Sequence, residues 1–127
     1  VVYVGLKGLE LLTQQGIAIT KRFKSLVEGK TVIETGMYDL RPFEVSSHTR
    51  GSMALWDEEE KVLFSGDVLF KDGVGRTDFS ESVPDSLDDA VTLLLGFDSK
   101  IILPGHGEPF VIDEGYLDMI TETLESK

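Results

Sequence analysis

Residues 62–78 place the strongest constraint on the fold, because a short apolar strand runs directly into a glycine and a carboxylate. The apolar residues 62–64 predict a buried strand, which Gly66 and Asp67 follow almost at once. A glycine lets the backbone turn sharply, so the carboxylate can be presented at the end of the strand. Folds that mix strands and helices bind ligands at such strand ends.

The only two histidines of the chain stand in comparable places. Residues 43–45 lead through two serines into His48, and residues 101–103 lead through Pro104 and Gly105 into His106. Two imidazoles and one carboxylate form a ligand set that suits zinc, iron or manganese. A histidine after a strand is also often structural, and Asp67 alone could be a turn residue. Spacing alone leaves these alternatives open.

The apolar pattern of the first half predicts mainly strands. Its elements are a strand over 1–4, a helix on Leu6, Leu9 and Leu12 closed by Gly16, a weak basic helix or turn over 21–27, strands at 32–33 and 38–45, and a hairpin of strands 52–56 and 61–65. The chain therefore belongs to the mixed α/β (α+β) class.

The second half predicts a long loop followed by helices. Residues 66–83 hold too little periodic apolar sequence for an element of their own. A helix opens at Pro84, carries an apolar stripe and ends at Gly96, and a strand covers 100–103. Asp113 caps a last helix that turns Leu117, Ile120 and Leu124 inward.

Composition excludes several classes of function. With 127 residues and no cysteine, the chain is one domain's worth of sequence without disulfides, thiolate metal sites or a cysteine nucleophile. The first 50 residues hold seven basic and five acidic side chains and the rest hold five and eighteen, so the net charge of −11 lies in the second part. Such charge disfavours nucleic acid. The apolar runs are too short for a membrane span, so we expect a cytoplasmic protein.

Four segments together resemble a known family. HTRGS at 48–52, LFSGDVLF at 63–70, GRTD at 75–78 and LPGHG at 103–107 are similar to consecutive motifs of the metallo-β-lactamase-fold superfamily, in its glyoxalase II-like hydrolase branch. The resemblance implies a four-layer αβ/βα sandwich, of which residues 1–127 are a partial domain, mainly the C-terminal half. We expect sequence to be missing upstream.

The resemblance also implies a site with two metal ions, zinc first, with iron or manganese as alternatives. His48 would ligate the first ion, Asp67 would bridge both as the catalytic carboxylate, and His106 would ligate the second. A hydroxide between the ions would attack the ester or thioester carbonyl of a small-molecule substrate. The nearest substrate class is a hydroxyacylglutathione-like thioester.

Four further residues are candidates for supporting roles. Ser47 and Thr49 place small polar groups around His48 that could orient its ring. By the resemblance, Arg76 and Asp78 lie near the site, where Arg76 could balance metal-binding carboxylates or meet an anionic substrate. The alternative is an Arg76–Asp78 pair that fixes the loop.

The chain departs from the family in one respect, and two other hypotheses stay open beside the hydrolase. The family's upstream HxHxDH motif is absent, because no other histidine exists. The first alternative is an iron-dependent redox member of the same fold, such as a sulfur dioxygenase or a flavodiiron-type oxygen reductase. The second is a non-catalytic fragment with an exposed apolar face, which pairs with another copy or with a missing N-terminal half.

Overall fold

The computed structural model describes residues 2–18 and 23–126. Within them, no helix combines the length and the apolar character needed to cross a membrane. The elements are β1 Val2–Gly5, α1 Leu6–Gln14, β2 Phe23–Leu26, β3 Ile33–Glu34, β4 Asp39–Glu44, β5 Met53–Asp57, β6 Val62–Gly66, β7 Leu69–Phe70, β8 Gly73–Val74, α2 Leu87–Leu95, β9 Ile101–Pro104 and α3 Glu114–Glu125, with a 3-10 turn at Pro84–Ser86.

The central sheet has the strand order β3-β4-β5-β6-β9. Its first four strands are antiparallel neighbours, whereas β9 lies parallel to β6. The chain between these two parallel strands contains α2, as a parallel connection requires a long crossover. At the β5–β6 turn, the Asp57 carboxylate accepts the backbone N–H groups of Glu59 and Glu60, which closes the hairpin. The acidic turn is therefore built around a buried carboxylate.

The two faces of the sheet differ because side chains alternate along each strand. On one face, Leu63 and Ile102 are fully buried and share one core cluster with Leu94 of α2 and Ile120 of α3. On the other face, the paired residues Leu55, Phe64 and Leu103 form an apolar row that is only half-buried. The helices cover the first face.

Helix α1 packs against the loop that follows His48, and two glycines allow the close approach. A Cβ added at Gly51 would lie 2.8 Å from the Cα of Gly8, so Gly51 has no room for a side chain there. Arg50 donates a hydrogen bond from Nη2 to Oε1 of Gln14 in α1. The helix thereby supports one side of the loop that carries His48.

The structure confirms most of the predicted elements, including the 52–56 and 61–65 hairpin, the helix after Pro84, the strand near 100–103 and the helix capped by Asp113. Asp113 accepts the backbone N–H of Tyr116 at 2.8 Å, as an N-cap residue does. The first residue of the predicted strand 1–4 lies outside the described residues. The mixed α/β class is therefore correct.

Two predictions about local structure are wrong. In the described part of 21–27, Phe23–Leu26 is a strand that pairs in parallel with β1, so backbone pairing overrides the weak helical pattern. The stretch 66–83 was predicted to lack elements, but β7 and β8 form a short antiparallel hairpin within it. A two-residue strand leaves no periodic signal in the sequence.

A third prediction, the inward face of the last helix, is wrong at one position. Leu117 is 41% exposed, whereas Tyr116 and Ile120, four residues apart, face the core. The Tyr116 hydroxyl donates a hydrogen bond of 3.0 Å to the Phe70 carbonyl in β7. This bond gives the aromatic residue a polar partner, so it takes the inward position beside Ile120.

Replacing Leu94 by alanine tests the core. Leu94 is fully buried in α2 while its neighbour Leu93 is 40% exposed, so L93A is a matched control in the same helix. We expect L94A to lower the free energy of unfolding by about 2–5 kcal/mol through lost burial and a residual cavity. L93A should change it by about 0.5 kcal/mol. Chemical denaturation measures both, and equal losses would contradict this core.

Candidate metal centre

The parallel pairing of β6 with β9 brings two candidate residues to one edge of the sheet. Gly66 lies opposite Pro104, and the Gly105 N–H donates a hydrogen bond of 2.7 Å to the Gly66 carbonyl. Asp67 directly follows β6, and Gly105 alone separates His106 from the end of β9. Because both strands run in the same direction, their C-terminal ends deliver the carboxylate and the imidazole side by side.

A local irregularity in β6 sets the position of Asp67. The register shifts between Phe64 and Gly66, so Ser65 is an extra residue in β6 relative to β9. The buried Ser65 hydroxyl donates to the Leu69 carbonyl at 2.8 Å, and Gly66 adopts a φ of 57°. Glycine reaches this left-handed region without steric cost. The chain therefore turns back at Gly66 and holds Asp67 at the sheet edge.

The structure places all three candidate residues together. The Nε2 atom of His48 lies 3.6 Å from Oδ2 of Asp67, and the Nε2 atom of His106 lies 3.4 Å from Oδ1. Both distances exceed the usual 2.7–3.2 Å of an N–H···O hydrogen bond. Each carboxylate oxygen thus faces one imidazole nitrogen at an ion-pair distance that is longer than a hydrogen bond. The side chain of His48 is 19% exposed and that of His106 is 78% exposed.

The hydrogen bond of Nδ1 decides which ring nitrogen of His48 can serve as a metal ligand. Nδ1 lies 2.8 Å from the Arg76 carbonyl oxygen. A carbonyl can only accept, so Nδ1 donates a proton to it, and Nε2, which faces Asp67, is the nitrogen that can bind a metal ion. Metal-ligating histidines commonly have their second nitrogen fixed in this way.

Two glycines leave space for the side chain and the backbone of Asp67. A Cβ added at Gly105 would lie 2.5 Å from Oδ1 of Asp67, closer than nonbonded atoms approach. A Cβ at Gly75 would overlap the Asp67 carbonyl. The glycines at these positions therefore serve the site through their missing side chains, which agrees with the glycine-rich character of the motifs.

Two residues that hold His48 have no signal in the sequence. The Ser82 hydroxyl donates a hydrogen bond of 2.6 Å to the His48 carbonyl. The Phe79 ring meets the imidazole edge to face, with centroids 5.4 Å apart and planes at 87°. Both residues come from the stretch predicted to be an unstructured loop. Only a helical or strand period would have singled them out, and this segment has neither.

The four supporting candidates occupy positions around His48 with different partners. The Ser47 hydroxyl donates to the Val45 carbonyl, and the Thr49 and Ser52 hydroxyls bond to each other at 3.0 Å. These bonds shape the loop. The bond to the His48 ring comes from the Arg76 backbone.

The Arg76 side chain makes an ion pair with Asp78, which is the alternative that the sequence left open. Nε and Nη2 of Arg76 donate to the two oxygens of Asp78 at 2.6 and 2.8 Å. Hydrogen bonding to this carboxylate raises the pKa of Arg76 above its usual value. The guanidinium also lies 4.2 Å from the centre of the Phe79 ring. Both side chains remain mostly exposed to solvent.

The donor set fits metal ions in two pairs. Donors of one tetrahedral ion at 2.0–2.2 Å lie roughly 3.3–3.6 Å apart, which matches the two observed nitrogen–oxygen distances. Within residues 2–18 and 23–126, no group of three or more His, Cys, Asp or Glu side chains could hold a metal ion by itself. The geometry instead gives two imidazole–carboxylate pairs that share Asp67. Each pair needs further ligands.

Comparison with known proteins identifies the family. A family model described as Metallo-beta-lactamase superfamily matches residues 6–106, most of the chain. The chain belongs to the metallo-β-lactamase superfamily. The match confirms the family inferred from the four motifs, and the mixed α/β architecture agrees with the solved structures of this fold.

Three similar proteins show how much of a superfamily member the chain represents. It is 36% identical over 78 residues to a hydroxyacylglutathione hydrolase GloC of Haemophilus influenzae, covering 60% of this chain and 37% of that protein. It is 31% identical to a probable metallo-hydrolase YqgX of Bacillus subtilis, covering 73% and 46%. A crystal structure of TTHA1623 in a di-iron-bound form superposes with a TM-score of 0.70 at 27% identity, covering 96% and 62%. The chain thus spans less than half of the two curated relatives.

Replacing Gly105 by alanine tests the close packing at Asp67. The added methyl group would meet Oδ1 at 2.5 Å, so we expect the carboxylate and His106 to separate. The ring signals of His106 should shift in heteronuclear NMR spectra, where two histidines give two assignable sets. Gly115→Ala in α3 is the matched control. A Cβ added at Gly115 would lie 3.5 Å from its nearest neighbour, Oδ1 of Asp113, which is an ordinary contact distance. Unchanged His106 signals in G105A would contradict the described geometry.

Proposed function

We propose that this chain carries the metal-binding edge of a metal-dependent hydrolase that cleaves an ester or a thioester. The observation that carries the proposal is the Asp67 carboxylate between two imidazole nitrogens at 3.4 and 3.6 Å. Membership of the superfamily supports it, as do the names of the relatives, hydroxyacylglutathione hydrolase and probable metallo-hydrolase. A thioester of a hydroxy acid is the nearest substrate class.

In this proposal, His48 and Asp67 would hold one ion, and His106 and Asp67 would hold a second. Zinc is the first candidate, because imidazole and carboxylate are common zinc ligands, and iron and manganese accept the same donors. When bound, such ions polarise a carbonyl and lower the pKa of water toward about 7. Asp67 would then be the catalytic residue, since it would be the ligand shared by the two ions.

The residues of the chain prepare the site in three ways. The Arg76 carbonyl keeps the proton of His48 on Nδ1, so the Nε2 lone pair stays available. Phe79 and Ser82 hold the ring and backbone of His48. His106 is mostly exposed, which leaves its side of the site open to a small-molecule substrate. The proposed reaction requires no nucleophilic side chain.

We further propose that residues 1–127 form part of a larger domain. The matches cover only 37% and 46% of the two curated relatives, and each imidazole–carboxylate pair supplies only two donors. The half-buried row of Leu55, Phe64 and Leu103 offers an apolar face for the remaining layer. A missing N-terminal half or a second copy of the chain would supply that layer and the additional ligands.

A second candidate function is iron-dependent redox chemistry on the same residues. The observation that favours it is the di-iron-bound form of TTHA1623, which resembles this chain over 96% of its length. His48, Asp67 and His106 would keep their places as ligands. Absorption spectra and iron content of protein purified without added metal separate the two candidates.

Metal uptake tests the proposed site. With solvent or a second copy completing the ligands of each pair, we expect the chain to bind zinc, iron or manganese in native mass spectrometry and calorimetry. Asp67→Asn should weaken binding by more than about 100-fold, beyond the effect of losing an outer partner. Asp113→Asn is the matched control, since Asn also caps helices and the residue caps α3. Equal metal uptake by D67N and the unchanged chain would contradict the proposed site. Hydrolysis of S-lactoylglutathione by the loaded protein then tests the substrate class.

Dye binding and sedimentation test the proposal of a larger domain. An uncovered apolar face should bind a hydrophobic fluorescent dye or associate with another copy. Leu55→Asp should reduce both effects, because it places a charge in the apolar row beside Phe64, the residue that Leu55 pairs with. Leu93→Asp is the control on the opposite, helical layer. A monodisperse monomer that binds no dye would count against an uncovered layer.

A further inference from the structure

A groove beside His106 leads away from the candidate metal centre. It consists of two cavities of about 380 and 600 Å³, which share Lys71 and Asp72 as lining residues. The first cavity reaches His106, and the second lies against the start of α3. Each has the size of a small-molecule site. We call these joined cavities the His106 groove.

Apolar and aromatic side chains form the walls of the His106 groove. Phe70 lies beside His106, with ring centroids 6.2 Å apart. Farther along, Phe110, Tyr116 and Met119 line the second cavity together with Val111, which is 56% exposed. Exposed apolar side chains in a concave site favour an apolar occupant, because burying them removes their surface from water.

A hydrogen bond holds the aromatic wall of the groove in place, and burial keeps its tyrosine uncharged. The Tyr116 hydroxyl donates to the Phe70 carbonyl, which ties the wall of the second cavity to the wall of the first. Burial raises the pKa of Tyr116 above its ordinary value, so the phenol stays neutral. The aromatic part of the groove therefore contributes no charge of its own.

The charges along the groove disfavour an anionic occupant. Its lining includes three carboxylates, Asp72, Glu108 and Asp113, and one ammonium group, Lys71, a net charge of −2 with His106 neutral. The Lys71 ammonium already donates to Glu108 at 3.0 Å. An acidic tail would meet excess negative charge, whereas an uncharged chain would meet none of this repulsion.

We propose that the His106 groove holds an uncharged, apolar chain of the ester or thioester substrate. This inference rests on the proposed function, because the groove serves as a substrate site only if a carbonyl reacts beside Asp67. A chain that starts there passes His106 and Phe70, crosses Lys71 and ends against Met119. The charged part of a carrier such as glutathione then lies outside the groove. Val111 and Asp72 become residues that determine specificity.

The test uses two unreactive thioethers of equal chain length, S-hexyl-N-acetylcysteamine and its analogue with a terminal carboxylate. Titration of the isotope-labelled chain, followed by NMR, should shift the amides of residues 70–72 and 110–119 with the neutral compound. We expect the anionic analogue to bind at least about fivefold more weakly, the scale of one unfavourable charge contact near solvent. Asp72→Lys should narrow that difference.

A pair of matched variants locates the binding site. Val111→Glu should weaken binding of the neutral thioether about fivefold or more, because it places a charge among the apolar walls. Leu117→Glu changes an exposed apolar residue of α3 that does not line the groove. This variant should leave binding unchanged. Shifts elsewhere, or tighter binding of the anionic analogue, would overturn the proposal. Neither compound reacts, and the titration needs no metal. Failure of the metal-uptake experiment can therefore be distinguished from failure of this proposal.

Discussion

The parallel pairing of β6 with β9 is the interaction on which the rest of the structure depends. It places Leu63 beside Ile102 in the core, and at the strand ends it places Asp67 beside His106. Helix α2 makes this pairing possible, since a crossover must connect two parallel strands and bury an apolar face on the sheet. The same contacts that stabilise the core therefore set the spacing of the candidate ligands.

The candidate metal centre is held by backbone contacts rather than by contacts among its own side chains. The imidazole–carboxylate distances are longer than hydrogen bonds, whereas the Arg76 carbonyl, the Gly105 N–H and the Ser82 hydroxyl all make short bonds around the site. Such an arrangement leaves polar groups poised for a further ligand.

The stretch 66–83 connects this site to its surroundings in both directions. Its β7–β8 hairpin carries Phe70 and Lys71 to the His106 groove, and its later part carries Phe79 and Ser82 to His48. The segment has little regular structure, yet its residues contact both histidines. Long loops in compact domains are often functional, and here the reason is that one loop reaches both sides of the shared carboxylate.

The sequence by itself determined the mixed α/β class, the elements from 52 to 65 and from 84 onward, the candidate residues His48, Asp67 and His106, and the superfamily. These follow from local signals, namely apolar periodicity, turn residues and short motifs. Only the tertiary structure decided that 23–26 is a strand, that Leu117 points outward, and that Ser82 holds His48 from 34 residues away. Each of these depends on a partner distant in the chain, and local pattern carries no information about such a partner.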